Sequence, residues 1–147
     1  MTAVADTKQF CTFYLDKFLF GVEVRKVQEV IRHLELTRVP LAPPVISGLI
    51  NLRGRIVTAV DLRRRLELPP RPEGVEPMNV VIDAGEEAVS LLVDTIGAVL
   101  SVDQSTFERP PETLTGIARD LILGTYKLKD HLLLALDIDK AIQGLLP

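Results

Sequence analysis

Two histidines, one cysteine and a few closely spaced carboxylates are the residues of this 147-residue chain whose types could do chemistry. A histidine within reach of a nucleophile would suit acid–base catalysis, and one spaced from other donors would suit a metal. His33 and His131 instead fall at the end of a predicted helix and beside a turn, with no partner at metal-ligand spacing. Cys11 lies in the alternating run Phe10, Cys11, Thr12, Phe13, Tyr14, Leu15, with no adjacent acid or histidine to activate it, so it reads as a packed thiol. Glu86 and Glu87 fall at a turn, and Asp137 and Asp139 at a helix start, where solubility and capping account for them. There is no glycine-rich phosphate loop and no G-x-S-x-G elbow. The sequence therefore predicts no catalytic residues, no cofactor and no metal, and a binding module in place of an enzyme.

Composition narrows the class further. The formal charge is −3 and the pI about 5.4, against the basic footprint that nucleic-acid binding needs. The one basic cluster, Arg63, Arg64 and Arg65, is interleaved with Asp61 and Glu67 and reads as a solvated helix face. No apolar run approaches the roughly 18 residues of a membrane span, and residues 1–8 are polar, read as a disordered tail with no signal-peptide core. One cysteine and no leader suit a reducing cytoplasm. Tryptophan is absent and 5% of residues are aromatic, so the core must be built of Val, Leu and Ile, which suit small β-barrels.

The elements that would hold any binding surface come in a repeat. Residues 48–66 and 124–142 match without a gap: Gly48 with Gly124, Leu52 with Leu128, Ala59 with Ala135 and Asp61 with Asp137, with apolar facing apolar at Ile56/Leu132, Val60/Leu136, Leu62/Ile138 and Leu66/Ile142. Each copy reads as glycine, turn, strand and a helix capped by its aspartate. A weaker match sets alternating Phe18, Phe20, Val22 and Val24 beside Val89, Leu91 and Val93. Strand hairpins are predicted over 9–23 and 78–94. Val24, Val27, Val30 and Ile31 predict a short amphipathic helix over 24–32, and 95–100 a turn or short helix. Residues 69–77 (PPRPEGVEP) are a proline-rich connector. The expected fold is mostly β: two linked small barrels with short helices in a single domain over 9–144. The first barrel is expected over about 9–60 plus a last helix at 138–145, and the second over about 61–137.

The stretch Pro44-Val45-Ile46-Ser47-Gly48-Leu49-Ile50-Asn51-Leu52-Arg53-Gly54, followed by residues 56–62, resembles the signature of the CheW-like family. So do Gly21-Val22-Glu23-Val24 running into Val27-Gln28-Glu29-Val30, and Leu92-Val93-Asp94-Thr95-Ile96 in the second half. The resemblance spans about 9–144. It implies two five-stranded SH3-like barrels around a shared core and a non-enzymatic adaptor of chemotaxis signalling. Such an adaptor couples the cytoplasmic tips of chemoreceptors to the regulatory domain of a CheA-type histidine kinase, and meets the membrane only through receptors. Carried over residue by residue, it implies that Asn51 and Gly54 shape a turn, and that Val27, Glu29, Arg53 and the Ile96–Val99 turn face the receptor. The other reading open to the sequence is a small-molecule-binding β-barrel sensor, for which no polar cluster offers a lining.

Overall fold

The computed structural model describes residues 6–112 and 114–145; residues 1–5, part of the expected tail, lie outside it. Eleven strands and three short helices follow one another: β1 (Thr7–Leu15), β2 (Phe18–Glu23), a 3-10 turn (Val24–Lys26), β3 (Val27–Ile31), β4 (Ile46–Leu52), β5 (Arg55–Asp61), α1 (Leu62–Arg65), β6 (Met78–Ala84), β7 (Glu87–Val93), β8 (Thr95–Asp103), a second 3-10 turn (Gln104–Thr106), β9 (Phe107–Glu108), α2 (Gly116–Asp120), β10 (Ile122–Lys127), β11 (Leu132–Leu136) and α3 (Ile138–Ile142). Thr7 and Lys8, expected in the tail, are the start of β1 and pair with Asp103 and Val102.

The strands form two sheets, ordered β8-β1-β2-β11-β10-β9 and β3-β6-β7-β5-β4. Each is one small barrel, and we call them barrel A and barrel B. The mostly β, two-barrel expectation matches this architecture, but the chain is not divided near residue 60. Barrel A takes the β1–β2 hairpin from the N-terminal half and β8 to β11 from the C-terminal half. Barrel B takes β3 to β5 from the first half and the β6–β7 hairpin from the second. The physical reason is a pair of parallel contacts, β11 beside β2 and β5 beside β7, which no tight turn can make. Each half therefore lends its hairpin to the other half's barrel.

The repeat read from sequence is structural. Gly48 pairs with Ala59 as Gly124 pairs with Ala135, and each ladder has an irregularity just before the glycine. Asp61 caps α1 by accepting from the N–H of Arg63 and Arg64, and Asp137 caps α3 by accepting from the N–H of Lys140. Asp61 N–H donates to the Val45 carbonyl and Asp137 N–H to the Leu121 carbonyl. Even the crossing segments agree. Thr37 bridges to Leu49, and β9 pairs Glu108 with Thr125, at matching places in the two copies.

Burial follows the same plan. One core is shared, with Phe13, Leu15 and Phe20 of barrel A packed among Val80, Ile82, Val89 and Leu91 of barrel B and the helix residues Leu62, Leu66, Ile138 and Ile142. Each barrel adds a smaller core of its own, around Ile50, Val57 and Val81 in one and Phe10, Tyr126 and Leu133 in the other.

Four local expectations are corrected. Residues 24–31 are a 3-10 turn and a strand, and 95–100 are strand. The last helix ends at Ile142, three residues short of the expected 145. The basic cluster is no solvated face. Arg63 is buried and its guanidinium clamps Asp94, while Arg65 donates to the carbonyls of Lys140 and Ala141 at the end of α3; Arg64 alone is exposed.

Candidate functional site

Arg53 and Gly54 are the two central residues of the β4–β5 hairpin, with φ of 52° and 84°. Positive φ at both positions is the two-residue turn whose twist matches its strands, and glycine adopts it without a Cβ penalty. Asn51 supports the turn by accepting from the Gly54 N–H at 3.0 Å. From this turn the Arg53 side chain reaches across to β3. There its Nη1 and Nη2 donate to Glu29 Oε2 and Oε1 at 2.5 and 2.9 Å. Strands β3 and β4 are the two edges of the barrel B sheet, so the pair clasps one edge to the hairpin of the other. A bidentate fork on a carboxylate is the stronger form of such a pair. These hydrogen bonds hold the Glu29 carboxyl below the usual range, and Glu29 raises Arg53 in return.

The clasp extends along β3. Gln28 donates to Asp83 Oδ1 at 2.5 Å and accepts from Arg55 Nη2 at 3.3 Å. Val30 and Ile56 lie exposed on the same strands, β3 and β5. Gln28, Arg55 and Asp83 were missed from sequence because a strand register is needed to bring residue 28 beside 83; the alternation of 78–83 against a bulged β3 was the available signal.

The remaining expected site residues divide. Val27 is half-buried against the shared core. Ile96 is likewise packed there, whereas Val99 is 57% exposed. Both lie on β8 in barrel A, and no hydrogen bond or ion pair among the described residues joins them to Arg53 or Glu29. Their relation is one of symmetry. Ile82 pairs with Val27 and Phe13 with Ile96; Val80 pairs with Val30 and Cys11 with Val99. Ile82 and Phe13 are equivalent, because their hairpin partners Val89 and Phe20 lie beside the repeat-matched Thr58 and Leu134. So Val27 corresponds to Ile96, Val30 to Val99 and Glu29 to Ala98, while Arg53 matches Lys129 in the repeat. Barrel A has no clasp at this place.

A groove of about 740 Å³ lies on barrel A and is lined by Tyr14, Lys17, Phe18, Leu19, Pro111, Leu114, His131, Leu132 and Leu134. It gathers no convergent polar set of the kind that fixes a small ligand. Among the described residues no three metal-ligating side chains come together.

The CheW-like domain family matches residues 9–145, nearly the whole chain. The chain belongs to the CheW-like family. A chemotaxis protein CheW of Bacillus subtilis is 32% identical over 121 residues, covering 82% of this chain and 76% of that protein. One of Treponema pallidum is 29% identical, covering 90% of this chain and 80% of the other. The crystal structure of the scaffolding protein TtCheW from Thermoanaerobacter tengcongensis superposes with a TM-score of 0.83 at 26% identity over 92% of each chain. The CheW-like fold of two SH3-like barrels expected from the motif residues is thus the fold this chain has.

Proposed function

We propose that the chain is a non-enzymatic scaffold that couples chemoreceptor signalling tips to the regulatory domain of a CheA-type histidine kinase. Its family membership and the chemotaxis proteins and scaffold it resembles support that role. The observation that carries the receptor face is the Arg53–Glu29 clasp, set at a barrel end in one barrel and not in its equivalent. Glu29 occupies two N–H groups of a guanidinium that has five, and the Arg53 side chain is 73% exposed. The other donors lie on a solvent-exposed side chain and suit paired acceptors on a partner helix, with exposed Val30 and Ile56 on neighbouring strands. Val99 offers barrel A's exposed apolar contact; Val27 and Ile96 support the strands from within. Asn51 and Gly54 set the turn that aims Arg53. No helix among the described residues is long and apolar enough to cross a membrane, and the proposed location is the cytoplasm, at receptor arrays through the receptor alone.

Titration of the purified chain against a kinase regulatory domain and a receptor-tip fragment, each labelled, tests this. Arg53→Ala is expected to weaken tip binding about tenfold, on the order of the 1.4 kcal/mol that a tenfold change represents, while leaving the thermal transition and kinase binding in place. Glu29→Lys should do at least as much. Unchanged tip binding by both variants would remove this face from the proposal, and failure of the wild type to bind either partner would remove the coupling role.

A further inference from the structure

Among the described residues the chain passes between barrels at two places, from β2 to β3 through Val24–Lys26 and from β7 to β8 through Asp94. The repeat makes these crossings equivalent, yet they are built differently. At the second, the neighbouring segments converge on Asp94. The Asp94 carboxylate accepts from Arg63 Nε at 2.9 Å and Nη2 at 2.5 Å, from Arg71 Nε at 3.2 Å and from the Asp16 N–H at 2.8 Å. Its own N–H donates to the Tyr14 carbonyl at 3.1 Å. Arg63 Nη1 holds the Pro69 carbonyl at 2.8 Å, so the proline-rich connector is tied in as well. Arg63 and Asp94 side chains are only 8% and 14% exposed.

The first crossing has the same chain length, since Phe20 corresponds to Val89 and Val27 to Ile96, but none of its residues Val24–Lys26 is buried. Among the described residues Lys26 forms an ion pair with Asp139 of α3, 3.8 Å apart, with the side chains 32% and 86% exposed. Glu23 is occupied by Lys8 and Arg25 beside it. Asp139 stands where the repeat puts Arg63, as the second residue of the capped helix, so the polarity of the joint is reversed and its partners are left in water. Exposed pairs of this length contribute little and are screened by salt, whereas a buried, multiply hydrogen-bonded carboxylate is screened much less.

We infer that the two joints are mechanically unequal: the Asp94 crossing is a rigid weld, and Val24–Lys26 is the compliant joint through which β3 moves relative to barrel A. The compliant joint leads directly into the strand that carries Glu29, so bending there moves the clasped edge while the shared core stays whole.

Amide hydrogen exchange on the full chain tests this without any partner. Amides of residues 24–27 are expected to exchange at least about tenfold faster than those of residues 94–96, a gap of the kind that separates locally opening segments from core. Lys26→Ala should barely change exchange at 24–27, because the exposed pair it removes contributes little. Asp94→Asn should speed exchange at 94–96 and at Asp16. Equal protection of the two crossings in the wild type would overturn the inference, and that comparison stands even if a variant fails to fold.

Discussion

Asp94 and Glu29 are both carboxylates held by arginine, but in different settings. For Asp94, burial pushes the pKa up, and the hydrogen bonds from Arg63 and the Asp16 N–H with the charges of Arg63 and Arg71 outweigh it, so the net direction is down. For Glu29 the Arg53 hydrogen bonds dominate from the outset. A carboxyl whose folded pKa is depressed contributes stability that is fully present above its unfolded value, about 3.9 for Asp and 4.3 for Glu. That contribution is lost as pH falls through the lower folded value. Urea unfolding from pH 7 down to pH 2 should therefore show stability falling below about pH 4, and Asp94→Ala should flatten that fall. The same variant leaves Arg63 buried without its partner and should cost about 3–5 kcal/mol at pH 7 by chemical denaturation. The turn that carries Arg53 is legible in sequence because asparagine, arginine and glycine mark it, but its pairing with Glu29 is not, because residues 24–32 read as a helix. Asp94 and Arg63 were not, since a run of three arginines looks solvated until the fold places a carboxylate beside the first.

Strand β3 shows why one element was misread. Val27 pairs with Ile82 and Glu29 with Val81, so Gln28 is one residue too many, a β-bulge. The extra residue stretches the apolar spacing from two to three, and Val27 to Val30 then mimics a helix. Strand β8 repeats the effect, with three steps from Ile96 to Val99 against two from Phe13 to Cys11. There the bulge is held by Thr12, whose hydroxyl donates to the Ala98 carbonyl, and a Cβ on Gly97 would lie 2.5 Å from Thr12 Oγ1. The hairpins, by contrast, pair through ladders without a bulge and were readable from their short turns. Crossing segments impose a separate demand. A Cβ on Gly124 would lie 2.2 Å from the Phe107 ring and 2.7 Å from the Glu108 carbonyl, so β9 can lie on β10 only over glycine. Gly124→Ala should destabilise by about 1–3 kcal/mol, as overpacking does. Adding Phe107→Ala should recover part of that loss; simple additivity of the two in urea denaturation would mean the ring is not the obstacle.

At the scale of the whole molecule the exchanged hairpins decide how the chain holds together. The repeat itself was visible in residues 48–66 and 124–142, but a repeat in sequence suggests two self-contained barrels. Only the parallel contacts of β2 with β11 and β5 with β7 reveal that each copy closes on the other. Cleaving the connector between Gly74 and Val75 would part the copies along that line. Each fragment alone should lack a cooperative thermal transition, and an equimolar mixture should regain one, read by far-UV circular dichroism and size exclusion. Independent folding of either fragment would contradict the shared core. A single peptide carrying the unit once could satisfy every strand only by trading hairpins with a second copy of itself. The present chain has the topology of such a reciprocally swapped pair joined tail to head, with residues 69–77 as the splice, and a joined pair is free to let its two copies diverge. That freedom is what puts an arginine clasp in one barrel and an alanine and a lysine at the matching place in the other, giving a two-fold scaffold two different faces.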